Sequence, residues 1–182
     1  MGIISNPDMT AKYNIFFVPP TDDRIKIASL RSKVCKLVHS TQALQYPVHM
    51  SLISDGFEVK KYSTFEKELK EFCKNQKAIT LKAEKLVRIL PDRFWAGIQV
   101  IKTGELTQLQ TDLQRLRNQY ALKKEEHSFH PPHITLAFPA KVDDLKKMKN
   151  PVTLIKLDQI TIVKKENEEA PYRIYQHLKL GK

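Results

Sequence analysis

The chain has 182 residues, of which 41% are apolar and 28% charged, with a formal net charge of +11 and a pI near 9.6. That length builds one domain or two small lobes with a real core, and no apolar stretch approaches the length of a membrane span. The surplus positive charge favours an anionic partner, with RNA or nucleotides first, although lysines on helix faces (Lys67, Lys70, Lys74) would also arise from solubility alone.

Residues 1–12 read as a flexible leader without the long apolar core of a signal peptide, and 13–182 as a single domain. Tyr13 to Val18 is a short β-like run closed by Pro19-Pro20. Thr21, Asp22 and Asp23 are expected to cap a helix with Ile27, Leu30, Val34, Leu37 and Val38 on its apolar face. Val48 to Ser54 follows as a strand. Ser63-x-x-Glu66 then has the form of a capping box, opening a helix with Phe65, Leu69, Phe72 and Cys73 on one face. Strands are predicted from Ile79 toward Leu90 and from Phe94 to Ile101. A third helix carries Leu106, Leu109, Leu113, Leu116 and Tyr120 at alternating steps of three and four. After the loop Lys123 to Pro132 come a strand over His133 to Phe138 and a short helix over Val142 to Met148. Two last strands, Thr153 to Val163 and Tyr172 to Leu180, flank an acidic loop at Glu166 to Glu169.

The order of elements repeats, which predicts an α+β fold of two pseudo-symmetric lobes, each a mainly antiparallel sheet backed by helices, with a central cleft. Cys35 and Cys73 are the only cysteines. They form no CxxC pair, so neither a disulfide framework nor a zinc ribbon is indicated, and a reducing cytoplasmic setting is expected.

The most informative residues are two copies of Pro-x-His-x-(Ser/Thr)-Leu: Pro47-Val48-His49-Met50-Ser51-Leu52 and Pro131-Pro132-His133-Ile134-Thr135-Leu136. Side chains alternate along a strand, so His49 shares a face with Ser51, and His133 with Thr135. A proline at each strand entrance reads as a backbone restraint. If the lobes face each other, both imidazoles line one cleft. One can then take a proton while the other gives one, and the hydroxyls can hold the non-bridging oxygens of a phosphate. No metal or other cofactor is required by that scheme. His127, His130 and His133 stand three residues apart, but Pro131-Pro132 bars the helix that would gather them into a metal site.

The doubled motif and the order of elements resemble the two-histidine (2H) phosphoesterase superfamily, in its branch of 2′–5′ RNA ligase-like or cyclic phosphodiesterase proteins. The ending Tyr172-Arg173-Ile174-Tyr175-Gln176-His177-Leu178-Lys179-Leu180-Gly181 is similar to a closing strand often seen there. The resemblance implies a bilobal fold and His49, Ser51, His133 and Thr135 as site residues. It implies metal-independent action on 2′,3′-cyclic phosphates or 2′–5′ linkages of RNA or nucleotides, with ligation as the reverse reaction. A non-catalytic nucleotide- or RNA-binding module using the same cleft is the alternative. Some relatives carry arginine just after the second motif, where this chain has Phe138.

Substrate-binding candidates are Tyr46, Trp95 and Phe138, able to stack on a base, and Arg173 and Tyr175 on the last strand. Each has an ordinary reading as rim packing or a solvated strand face. No membrane partner is expected, and the chain is expected to act as a monomer.

Overall fold

The computed structural model describes residues 11–88, 95–124, 131–138, 145, 148–167 and 170–181. The leader, the helix expected over Val142 to Met148, and His127 and His130 lie wholly or largely outside these residues. Eight strands are described: β1 (Lys12–Phe17), β2 (Met50–Phe57), β3 (Ile79–Arg88), β4 (Ala96–Val100), β5 (His133–Ala137), β6 (Leu154–Leu157), β7 (Gln159–Lys165) and β8 (Arg173–Lys179). Three α-helices accompany them: α1 (Thr21–Leu37), α2 (Tyr62–Lys74) and α3 (Gly104–Tyr120). A 3-10 turn, Gln42–Gln45, lies between α1 and β2.

The strands run in the order β6-β3-β4-β5-β2-β1-β7-β8, and every pairing is antiparallel. This is the expected α+β architecture. It divides between β5 and β2, which pair at the single register position Met50↔Ile134. Each half therefore has four strands, with a histidine strand at its inner edge. The halves are not consecutive stretches of chain. The run expected as one strand from Thr153 to Val163 is broken at Asp158, so β6 pairs with β3 while β7 pairs with β1. One residue thus carries the chain from one half to the other.

The helices cross over in the same way. α1 packs on β5 and α3 on β2, so the helix preceding each histidine strand covers the strand of the other half. α2 packs against α3 and β8. The third helix follows its sequence pattern, with Leu106, Leu109 and Leu113 buried and the Thr103 side chain accepting from the Leu106 amide at 3.2 Å. The two other expected caps do not form. Thr21 is already helical and the capping position falls to Pro20, so Asp22 and Asp23 favour α1 through its dipole instead. Ser63 is the second residue of α2, two positions too late to cap it, and Lys61 precedes the helix without a side-chain cap. On α1 the buried face is Ile27, Leu30, Arg31, Val34 and Cys35, while the expected Leu37 is exposed. No described helix is long and apolar enough to cross a membrane.

Met50 and Ile134 are both buried at the joint between the halves. Removing that packing with Ile134→Ala should cost about 2–5 kcal/mol, the usual range for a large aliphatic truncated in a core. Urea unfolding measures it; a loss below about 1 kcal/mol would mean that the joint tolerates a cavity.

Candidate active site

The pair Met50↔Ile134 sets the site. One step to either side in an antiparallel ladder brings His49 alongside Thr135 and Ser51 alongside His133. Met50 and Ile134 point into the core, so these four neighbours share the opposite face. The burial pattern agrees: His49, Ser51, His133 and Thr135 are each half-buried, whereas Met50, Leu52, Ile134 and Leu136 are buried. The four site residues line one cleft of about 430 Å³. In a regular ladder diagonal neighbours are about 7–8 Å apart. The two histidines so placed stand diagonally across the joint of strands that pair at one position only.

Both rings are oriented by the same device. His49 Nδ1 lies 2.8 Å from the Pro47 carbonyl oxygen, and His133 Nδ1 lies 2.8 Å from that of Pro131. A carbonyl can only accept, so each Nδ1 carries the hydrogen and donates it. That leaves each Nε2 as the nitrogen able to exchange a proton with a ligand. The proline two residues before each histidine therefore does more than restrain the loop, because its own carbonyl fixes the tautomer.

Phe16 of β1 stacks on His49, with ring centroids 3.8 Å apart and planes 17° from parallel. The His49 pKa is lowered to about 4, first by loss of solvation, with the positive charges of Arg31 and His133 adding to the effect. The Pro47 hydrogen bond opposes this only in part. At neutral pH His49 is accordingly an uncharged base.

Arg31 of α1 is buried and makes four bonds to backbone carbonyls. Nη1 donates to Ala43 (3.1 Å) and Tyr46 (2.8 Å), and Nη2 to Pro47 (3.3 Å) and Thr135 (3.2 Å). It thus clamps the approach to His49 onto the strand that carries His133. Burial pulls its pKa down to about 10, which leaves it a cation at neutral pH, and it lines the cleft. Sequence reasoning missed it; the available signal was an arginine one helical turn after Ile27 on an apolar face.

Of the stacking candidates, Tyr46, Trp95 and Phe138 all line the cleft. The Trp95 ring lies 5.5 Å from Phe138 and 6.4 Å from His133, and Tyr46 lies 6.4 Å from both Phe138 and His49. Arg173 and Tyr175 do not line it. A register shift between Ile162 and Val163 interrupts the β7–β8 pairing, and Tyr175 meets Tyr62 of α2 edge-on at 5.2 Å, on the helix side of the sheet. Other cleft residues went unrecognised in the sequence: Asn14, Phe16, Gly56, Gln110 and Tyr172. Among the described residues no group of three or more His, Cys, Asp or Glu could hold a metal ion.

Against this geometry, comparison with known proteins is direct. The family model of the 2′-5′ RNA ligase superfamily matches residues 18–169, most of the chain, and the chain belongs to that family. Its fold is similar to that of E. coli LigT complexed with 3′-AMP, with a TM-score of 0.63, 20% identity, and coverage of 94% of this chain and 98% of LigT. A structure described as a phosphoesterase gives a TM-score of 0.63 at 18% identity, covering 95% of this chain and 99% of its own. The protein TT0787 of Thermus thermophilus gives 0.62 at 12% identity, covering 94% and 99%. No curated protein matches the chain in sequence.

Two measurements follow from the electrostatics. In an NMR titration of the free protein, the His49 ring should lose its proton with a midpoint near pH 4. A midpoint at the ordinary histidine value, about 6.5, would contradict the environment described. Arg31→Met strands several buried carbonyls, each worth about 1–3 kcal/mol, and should lower unfolding free energy by at least about 3 kcal/mol. Unchanged stability would show that the clamp carries no weight.

Proposed function

We propose that the chain is a phosphodiesterase that acts on 2′,3′-cyclic phosphate ends or 2′–5′ linkages of RNA or nucleotides, with His49 and His133 as general base and acid. One observation carries this reading: two imidazoles, each with Nδ1 bonded to a carbonyl, line a single cleft together with the hydroxyl residues Ser51 and Thr135. Membership of the 2′-5′ RNA ligase superfamily supports the substrate class, as does a fold shared with LigT, which has been crystallised with 3′-AMP, ATP and phosphate.

His49, uncharged in the free protein, takes the proton of the attacking oxygen. His133 protonates the departing one. For a cyclic phosphate the attacker is water, one P–O bond to the ribose breaks, and that ribose oxygen leaves as a hydroxyl. For a 2′–5′ linkage the adjacent 3′-hydroxyl attacks and the bond to O5′ breaks. The products are a 2′,3′-cyclic phosphate and a free 5′-hydroxyl. The reverse of that second reaction is ligation, with the histidine roles exchanged. Ser51 and Thr135 donate to the non-bridging oxygens, where charge accumulates as the phosphorane forms. The Arg31 cation favours an anion in the cleft, and a bound anion in turn raises the His49 pKa toward the range that suits a base.

His49→Ala and His133→Ala should each lower turnover about 10²–10⁴-fold while ligand affinity largely survives. The assay compares cyclic nucleotides, cyclic-phosphate-ended RNA and 2′–5′ oligoadenylate. Full activity in either variant would remove that histidine from the mechanism. Binding without turnover in the unaltered protein would make the chain a nucleotide-binding module instead. Both proton transfers run through imidazoles, so a chelator should leave the rate unchanged; activity lost to chelation and restored by metal would overturn the scheme.

A further inference from the structure

The cleft has two walls of different chemistry on either side of the histidines. Beside β4 and β5 the wall is aromatic, formed by Trp95 and Phe138 with Tyr46 at its edge. The wall built on β1, β2 and α3 carries amide and hydroxyl groups beside Phe16 and Leu52. Asn14 is 7% exposed and its Oδ1 has no hydrogen-bond partner among the described residues; Gln110 is 4% exposed, and although its Nε2 donates to the Leu52 carbonyl at 3.4 Å, its Oε1 has none among them either. Both residues line the cleft. Tyr172 completes this wall by placing its hydroxyl over Gly56, where any Cβ would collide with it.

We propose that this amide-bearing wall is a second nucleoside subsite, so that the ligand carries a nucleoside on both sides of the phosphate. This rests on the phosphodiesterase reading above and narrows it to dinucleotides or longer chains over lone cyclic mononucleotides. A buried amide oxygen without a partner costs about 1–3 kcal/mol, and a ligand that donates to it recovers that cost. A phosphodiester carries no hydrogen to donate to such an oxygen. A nucleobase amino or imino group, or a ribose hydroxyl, supplies the N–H or O–H that two such acceptors require. The aromatic wall supplies the complementary chemistry, stacking on the first base without regard to its hydrogen-bonding edge.

The test is equilibrium binding to the full chain by calorimetry, which works whether or not the protein is active. One ligand is 3′-deoxyadenosine joined 2′–5′ to adenosine, which lacks the 3′-hydroxyl that would attack its own phosphate. The other is 3′-deoxyadenosine 2′-methylphosphate, with the same diester charge and no second nucleoside. The dinucleotide should bind about tenfold more tightly. Asn14→Ala should shrink that advantage about fivefold, the worth of one neutral hydrogen bond, and Gln110→Met, which keeps the side-chain length, should act in the same direction. Equal affinities in the unaltered protein, no measurable binding of either ligand, or an advantage unchanged in both variants would overturn the subsite. Equal weakening of both ligands by Asn14→Ala would do so too, by assigning the amide to the first nucleoside. Failure of the catalytic reading is seen separately, as absent cleavage of the corresponding dinucleotide that retains its 3′-hydroxyl.

Discussion

The contact on which the site depends is the backbone pairing of Met50 with Ile134, the one register position at which the described halves of the sheet are joined. A full ladder there would bring the two histidine strands into continuous contact and fill the space a ligand needs. No pairing at all would leave the histidines without a common frame. A single pair holds the two motifs in register and lets the strands part on either side of it. Parting leaves edge carbonyls that must find donors elsewhere, since a buried backbone acceptor without a partner is costly. The crossing helices, with Ser40 just beyond α1, supply them. Arg31 bonds the Thr135 carbonyl, Cys35 Sγ that of Leu136 (3.3 Å), Ser40 Oγ that of Phe138 (2.6 Å), and Gln110 that of Leu52. The helix before each motif thus stabilises the opening in the strand of the other.

The same arrangement governs the charge in the cleft. The two terminal nitrogens of Arg31 are bonded by carbonyl dipoles, which stabilise the cation without cancelling its charge as a carboxylate would. The positive potential left over acts on the cleft it lines. It adds to the loss of solvation that chiefly keeps His49 unprotonated in the free protein, and it favours an anion in the cleft. Phe16 works in the same direction by excluding water from one face of the ring. A scaffold with a net charge of +11 adds long-range attraction for a polyanion, and the buried Arg31 cation adds a local positive potential in the cleft.

Much of this was readable before any coordinates. The doubled Pro-x-His-x-(Ser/Thr)-Leu pattern encodes strand alternation, and alternation alone puts each histidine beside its hydroxyl. Leu106, Leu109 and Leu113 sit at helical spacing and are buried as that spacing requires. What escaped was whatever depends on partners distant in sequence. Arg31 looks like a solvated helix charge until carbonyls from residues 43–47 and from Thr135 are brought around it. Asn14 and Phe16 sit in a strand buried on both faces, where alternation carries no signal about which side chain faces the cleft. Arg173 and Tyr175 share a face with His177 only in an unbroken strand; the register shift in the β7–β8 pairing moves Tyr175 to Tyr62. The missing caps of α1 and α2 have a simpler cause. A threonine or serine caps only from the residue before the helix, and here both helices begin one position or more too early.

A crystal structure of the chain with inorganic phosphate tests the central claim most directly, because it asks whether the two imidazoles address the same anion. The account predicts one phosphate within hydrogen-bonding distance of Nε2 of both His49 and His133, with its remaining oxygens on the Ser51 and Thr135 hydroxyls. A phosphate bound to only one of the rings, or settled outside the cleft with both Nε2 atoms facing away from it, would contradict the account.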